Sequence, residues 1–163
     1  MSALRDTRRN GEKEGCKSMN PLGVFSNNIL VAALSAWWLS QSAKVPLAYF
    51  KTNRWDWSLL FRISPGGMPS AHSAMVAAAA HAVGLYIGYN TATFATAFVL
   101  AVIVIYDARG VRLQAGKHAR IINLMTPERD EPLQEVLGHT PKEAFVGVLV
   151  GIATAQFVWF VWR

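Results

Sequence analysis

The sequence predicts an all-α fold: a polytopic membrane helical bundle of about four transmembrane helices with short interfacial helices. Composition and charge distribution both indicate this class. Of the 163 residues, 52% are hydrophobic and only 16% are charged. The charged residues collect at residues 1–20, 44–70 and 107–143, and long apolar runs lie between them. Because a soluble protein places charged residues on every surface helix, this segregation favours membrane spans.

The candidate membrane spans are the apolar residues 22–43, 71–89, 92–106 and 141–162. The second of them is rich in alanine and glycine, and such small residues allow helices to approach closely in lipid. Residues 1–20 are polar, mixed in charge and without periodicity, so we expect a disordered N-terminal tail. The membrane domain then comprises residues 21–163.

The formal net charge is +6, and nucleic-acid binding is the first function to consider for a basic chain. The basic residues flank the apolar segments, so orientation in the membrane and binding of anionic groups explain them better. Four spans would place both long polar loops on one membrane face, and these loops contain ten Lys and Arg residues. The positive-inside rule then predicts a multi-pass protein with cytoplasmic loops. We therefore expect a membrane lipid or lipid phosphate as partner, and no nucleic acid.

The first candidate motif is the string GGMPSAHS at residues 66–73. Ser70 is a good N-cap for the following span. A helix N-terminus offers free N–H groups and a partial positive charge, which suit a phosphate, and His72 in the first turn would face the same place. Ser70 alone is better explained as a cap, with His72 at the interface, whereas the whole string favours a site.

The second motif is YDARGVR at residues 106–112, where an apolar span ends. An acid and two arginines are costly to bury there, and such residues are usually paired or functional. The guanidinium of Arg112 offers a fork of donors that matches phosphate oxygens. Cations at a cytoplasmic interface, with an Asp–Arg pair, explain this string equally well.

The third motif is LGHTPKE at residues 137–143. Thr140 to Glu143 fits a capping box with Pro141 at the first helical position, which leaves His139 unexplained. A histidine held by a carboxylate is the arrangement used for nucleophilic or acid–base chemistry. Lys44, directly after the first span, either extends to the headgroups or points inward as a phosphate-binding charge.

These residues together resemble the type 2 phosphatidic acid phosphatase superfamily, which includes vanadium-dependent haloperoxidases. More closely, residues 20–163 resemble a divergent branch of small membrane proteins described as acid phosphatase/vanadium-dependent haloperoxidase-related. The strings that carry this resemblance are KVP, DWS, GGMPSAHSA, YDARGVR and LGHTPKEAFVG.

Residues 69–72 are similar to the superfamily's Pro-Ser-Gly-His motif, with alanine replacing glycine. Residues 138–143 are similar to the end of its third motif, with glutamate replacing aspartate. Arg112 is similar to the arginine of that third motif, but His139 follows it by 27 residues. His118 lies at the usual offset, six residues after Arg112, but no acid follows it at the right distance. We therefore prefer His139 and keep His118 as the alternative.

The resemblance implies metal-free phosphoryl transfer to or from a lipid phosphate or pyrophosphate, with no cofactor. His139 would attack phosphorus, Glu143 would orient its other ring nitrogen, and His72 would protonate the leaving oxygen. The groups expected to stabilise the developing charge are Lys44, Ser70, Arg112 and N–H groups at the helix start. The alternative function is a catalytically inactive lipid-binding or assembly protein that retains the phosphate-site motifs.

Overall fold

The structure is a computed structural model in which residues 26–60, 67–128, 131–135 and 138–163 are described. These residues form α-helices and one 3₁₀ turn, and no strand occurs among them. The helices are α1 (Asn28–Thr52), α2 (Ala71–Tyr86), α3 (Ala92–Arg109), α4 (Val111–Met125) and α5 (Pro141–Val161), and the 3₁₀ turn is Trp57–Leu60. The all-α prediction is confirmed for the described residues, whereas the predicted tail, residues 1–20, lies outside them.

Among the described residues, two helical stretches are long and apolar enough to cross a membrane. One is Ala92–Met125, which comprises α3, Gly110 and α4, and the other is Pro141–Val161, which is α5. By contrast, α2 has 16 residues, which is about 24 Å of helix and less than the roughly 30 Å of a bilayer core. Length and composition therefore support membrane crossing for two of the four predicted spans.

Small residues lie inside the bundle and large apolar residues lie outside it. The buried cluster is formed by Ala32, Ala36, Ala74, Ala78, Ala82, Ala155 and Val158. Phe98, Ile103 and Phe157 are exposed instead, by 54%, 59% and 65%. A soluble core shows the opposite distribution. Since lipid gives no hydrophobic drive between helices, close contact through small residues and an apolar outer surface suit a membrane.

The closest helix pair is α2 with α5, and glycines of α5 permit the approach. A Cβ atom added at Gly147 would lie 2.5 Å from the carbonyl oxygen of Ser70. A Cβ atom at Gly151, one turn later, would collide with the carbonyl oxygen of Ala74. The two helices therefore run parallel, with the backbone of α5 resting directly on the first half of α2.

Helices α1 and α3 run in the opposite direction, so that polar segments meet at one end of the bundle. Ala32 near the start of α1 packs in the same cluster as Ala82 near the end of α2. Lys44, later in α1, interacts electrostatically with Glu143 in the first turn of α5. The end of α3 likewise lies beside the start of α5, because His139 N donates to the carbonyl oxygen of Ala108 at 3.0 Å.

Two local predictions are wrong. The loop predicted to begin at Lys44 begins later, because α1 continues through Pro46 to Thr52 and ends at Asn53, a left-handed residue. Pro46 removes one helical hydrogen bond, which a helix tolerates where its neighbours compensate. The string TPE at residues 126–128 predicts a helix start, with threonine at the N-cap and proline in the first turn. Thr126 instead ends α4, and its hydroxyl donates to the carbonyl oxygen of Ile122 at 2.8 Å.

The contact between α2 and α5 predicts a specific stability defect. Gly151→Ala adds a methyl group against the backbone of Ala74, which cannot move away as a side chain would. We expect the free energy of unfolding in detergent to fall by about 1–3 kcal/mol, the usual effect of overpacking. The matched control is Leu149→Ala on the exposed side of α5. Equal melting temperatures for the two variants would contradict this packing.

Candidate functional site

The six residues predicted to form a site all lie at the polar end of the bundle. The N-terminal ends of α2 and α5 are joined there, since Ser70 N donates to the carbonyl oxygen of Glu143 at 3.2 Å. The Glu143 carboxylate in turn lies beside His139, with 3.6 Å between Oε2 and Nδ1. The residues that meet at this end are Lys44, Ser70, His72, Arg112, His139 and Glu143.

Electrostatic interactions connect the residues that do not touch directly. Lys44 is buried in α1 and interacts with both His139 and Glu143. His72 in the first turn of α2 interacts with Lys44 and Arg112, and it also acts on His139. Helices α1, α2 and α4 and the start of α5 thus each contribute a charged or titratable side chain to one cluster.

His139 is held in place by its own backbone and by the preceding glycine. Its N–H donates to the carbonyl oxygen of Ala108 at the end of α3. Gly138 has a φ of +81°, and a Cβ atom there would lie 2.6 Å from the backbone nitrogen of Leu113. Both the left-handed conformation and the close backbone approach require glycine. The start of α4 therefore fixes where His139 sits.

The chain between Arg112 and His139 forms a hairpin that returns to its starting point. Its outgoing arm is α4, and residues 131–135 and 138–139, here termed the return segment, lie beside it. Asn123 connects the two arms: its amide donates to the carbonyl oxygen of Leu133 at 2.8 Å and to Glu135 at 3.0 Å, and it accepts from Leu133 N at 2.8 Å. This hairpin explains how residues 27 positions apart join one cluster.

The capping box predicted at the start of α5 is confirmed, and it shares a carboxylate with His139. Glu143 N donates to the Thr140 hydroxyl at 3.4 Å, and Thr140 N donates to Glu143 Oε2 at 2.8 Å. The same Oε2 lies 3.6 Å from His139 Nδ1, which is longer than a hydrogen bond. Among the described residues, this Nδ1 atom has no hydrogen-bond partner although His139 is only 3% exposed.

The environment of His139 favours its neutral form. Burial lowers the pKa of this imidazole below its ordinary value, and the charge of Lys44 lowers the pKa further. Glu143 opposes this effect and raises the pKa, whereas His72 lowers it. Because the net direction is downward, the ring is unprotonated at neutral pH and carries a free nitrogen lone pair.

Ser70 caps α2 as predicted and is fully buried. Its hydroxyl accepts from Ser73 N at 3.3 Å and bonds the Ser73 hydroxyl at 3.0 Å. Because α2 and α5 start side by side, the positive ends of two helix dipoles lie together at this end of the bundle. This pairing adds partial positive charge to that of Lys44 and Arg112.

Asp107 belongs to the cluster, although the sequence analysis did not assign it to the site. Its Oδ2 lies 3.2 Å from Arg112 Nε, and it also interacts electrostatically with His72. The Asp–Arg pair considered as an alternative to a site is therefore formed, but it lies within the cluster. In the sequence, the only indication that Asp107 belongs to the cluster was its place in the string YDARGVR.

A cavity of about 390 Å³ opens next to the cluster. Its polar lining comes from Lys44, Lys142, Glu143 and Thr140, and its apolar lining comes from Leu47, Ala48, Leu59 and Met68. The wall around Leu59 is fixed, because Gln41 of α1 donates a hydrogen bond to the Leu59 carbonyl oxygen at 3.0 Å. The lining of the cavity thus combines charged groups with hydrocarbon.

Two histidines lie outside the cluster. His118, the alternative to His139, is exposed on α4. His81 bonds the Tyr89 hydroxyl at 3.1 Å and Gln156 at 3.3 Å, so it packs between helices at the far end of the bundle. In the part of the chain that the structure describes, no three His, Cys, Asp or Glu side chains are grouped so as to hold a metal ion.

The described residues form an all-helical bundle that has two helices able to cross a membrane and a cluster of histidines and cations at one end. These features are those of a helical membrane protein with a candidate anion site. A model of the Divergent PAP2 family matches residues 25–154. The chain therefore belongs to the Divergent PAP2 family, which confirms the resemblance drawn from the motifs. It is also similar to Uncharacterized membrane protein YuiD of Bacillus subtilis (strain 168), with 37% identity over 147 residues, covering 79% of this chain and 92% of that relative. No solved structure matches the chain.

The position of Gly138 predicts a change in the titration of His139. Gly138→Ala forces an alanine into a left-handed conformation against the backbone of Leu113, so the return segment must shift and expose His139 to water. We expect the His139 pKa, measured by NMR of labelled histidine, to rise towards its ordinary value. The matched control is Gly88→Ala, which also has a positive φ but lies at the far end of the bundle. An unchanged His139 titration in Gly138→Ala would show that this approach does not position the ring.

Proposed function

We propose that this protein is an integral-membrane phosphatase that acts on a lipid phosphate or pyrophosphate through a phosphohistidine intermediate. The observation that carries the proposal is the environment of His139. It is a buried, neutral imidazole beside the Glu143 carboxylate, and Lys44 of α1 lies close enough to act on it electrostatically. This is the arrangement that a histidine nucleophile for an anionic substrate requires. Membership of the Divergent PAP2 family supports the same reaction class.

In the proposed reaction, Nε2 of His139 attacks phosphorus and a phosphorus–nitrogen bond forms as the bond to the leaving oxygen breaks. Glu143 lies on the Nδ1 side of the ring, where its carboxylate stabilises the positive charge that develops on the imidazole. His72 donates a proton to the leaving oxygen. Water then attacks phosphorus and gives one proton to His72, while the phosphorus–nitrogen bond breaks, so that phosphate is released and both histidines return to their starting states.

The cations of the cluster would stabilise the transition state, because its charge is spread over the phosphoryl oxygens. Lys44 would supply a buried point charge. Arg112 uses its Nε atom to bond Asp107, which leaves its Nη groups for phosphoryl oxygens. The Ser70 hydroxyl and the free N–H groups at the start of α2 would complete the set.

The cavity beside the cluster supports an amphiphilic substrate. Its walls combine the charged groups of Lys44 and Glu143 with the side chains of Leu47, Leu59 and Met68. A phosphate with an attached hydrocarbon group would match both parts. We further infer that α1 and α2 span the membrane together with α3 and α5, and that the loops carrying the site are cytoplasmic, as the positive-inside rule predicts.

A second candidate function is binding of a lipid phosphate without chemistry, in a lipid-binding or assembly protein. The distance of 3.6 Å between His139 and Glu143 favours it, because a catalytic carboxylate would be expected to hydrogen-bond the ring. The pairing of Arg112 with Asp107 also reduces the charge available for phosphate.

Phosphate release separates the two functions. The purified protein, in detergent and in lipid vesicles, is assayed with a panel of lipid phosphates, lipid pyrophosphates and soluble phosphate esters. We expect release from at least one lipid substrate, and a loss of at least about a hundredfold in His139→Ala because the nucleophile is absent. His118→Ala is the matched control, since His118 is an exposed histidine outside the cluster. Binding of a lipid phosphate without release by folded protein would favour the second function.

The influence of Lys44 on His139 predicts a shift in the pH profile. Lys44 lowers the pKa of His139, so Lys44→Met should raise that pKa. More of the imidazole would then be protonated at a given acidic pH, and the acid limb of kcat/KM should move to higher pH. Arg163→Met removes a cation at the far end of α5, where Arg163 lies over Trp159, and should leave the limb in place. A limb that stays fixed in Lys44→Met would contradict this electrostatic coupling.

A further inference from the structure

The last part of α4 exposes large apolar side chains to its surroundings. Leu124 and Met125 are 74% and 76% exposed, and Ile121 is 54% exposed. Within α4 only Gly116 and Ala119 are buried. An exposed apolar group of this kind marks an interaction site.

Basic residues accompany these apolar residues on α4. Its sequence, VRLQAGKHARIINLM, contains three cations and no acid. Lys117, Ile121 and Leu124 follow the spacing i, i+4 and i+7, which places them along one stripe of the helix. The acids of this region lie outside the helix: Asp107 precedes it and pairs with Arg112, and Glu135 follows it and accepts a hydrogen bond from Asn123. The exposed side of α4 is therefore both apolar and positively charged.

The position of α4 in the chain places it at a membrane boundary. Only Gly110 separates α4 from α3, the apolar helix that precedes it in the membrane-crossing stretch Ala92–Met125. Gly110 separates the two helices with a ψ of −78°, well away from the usual α-helical value of about −42°. The helical path therefore bends there, although Gly110 N still donates to the carbonyl oxygen of Tyr106 and Gln114 N to that of Gly110. The chain thus leaves the apolar helix at the polar end of the bundle and immediately continues as an amphipathic helix.

We propose that α4 lies on the phospholipid surface at the polar end of the bundle. Ile121, Leu124 and Met125 insert between the upper parts of the acyl chains, and Lys117 and Arg120 contact headgroup phosphates. Lysine and arginine suit this position because their long apolar stems remain in the lipid while their charges reach the phosphates. The absence of acids from the helix favours this occupant over a second copy of the same basic surface, which would repel it.

The position of α4 on the lipid surface would also set the depth of the cluster in the membrane, whether or not the cluster carries out the proposed reaction. Arg112 lies in the first turn of α4, and Gly138 packs against that turn just ahead of His139. A helix anchored in the lipid surface would therefore hold Arg112 and His139 at headgroup depth. An amphiphilic anion would reach them without leaving the membrane.

Depth-dependent fluorescence quenching tests this proposal in the full-length protein. Each variant carries one cysteine labelled with an environment-sensitive fluorophore, in a Cys16→Ser background, and is reconstituted into vesicles of phosphatidylcholine and phosphatidylglycerol. The test position is Leu124→Cys, with Met125→Cys as a second test position should the first disturb folding. The controls are Phe98→Cys on the lipid-exposed side of α3 and Glu131→Cys, which is exposed beyond α4.

We expect the labels at 124 and 125 to be quenched by a nitroxide near the lipid carbonyls and to be several-fold less sensitive to aqueous iodide than the label at 131. The label at 98 should respond to a deeper nitroxide instead. Iodide sensitivity at both test positions equal to that at 131 would overturn the proposal, because α4 would then project into water. Shielding from both quenchers, with energy transfer between differently labelled copies, would also overturn it and identify a second copy as the occupant.

Discussion

The backbone contact between α2 and α5 is the constraint on which the rest of the structure depends. Gly147 and Gly151 let α5 approach the carbonyl groups of Ser70 and Ala74 closely. In lipid, where apolar surface gives no drive to associate, such close van der Waals contact stabilises the pair. The parallel direction of the two helices then sets the N-terminal end of one beside that of the other. The bond from Ser70 N to the Glu143 carbonyl oxygen is the direct result.

A second close backbone contact, between Gly138 and Leu113, positions His139 in the cluster. Because the hairpin of α4 and the return segment closes on itself at Gly138, the position of His139 is set by the end of α3 and the start of α4. The length of the hairpin is therefore of little importance to the cluster, since its two ends meet whatever lies between them. Arg112 and His139 are therefore 27 residues apart in the sequence and still belong to one cluster, in which Arg112 acts on His72 and His72 acts on His139.

Local signals predicted much of this arrangement. The caps at Ser70 and Thr140 follow from hydrogen bonds within four residues, and sequence spacing reveals them directly. Contacts between distant segments leave no such pattern. The continuation of α1 past Pro46 depends on the segments that pack around it. Threonine is compatible with both the start and the end of a helix, so its residue type alone did not show that Thr126 ends α4. An Asp–Arg pair was one interpretation of the string YDARGVR, but the choice of Arg112 as the partner and the place of Asp107 beside His72 required the folded chain.

The electrostatics of the cluster connect its stability with its chemistry. A buried lysine is costly unless an opposite charge lies near it, and Glu143 is the acid that interacts with Lys44. The same carboxylate also accepts from Thr140 N and faces His139, so one acid serves several positive or polar groups. A bound phosphate would add the negative charge that these groups lack and would relieve Glu143 of its interaction with Lys44. In the proposed reaction, the carboxylate would then be available to His139, whose ring would become positive as it attacked phosphorus, and the distance of 3.6 Å between the two groups would shorten.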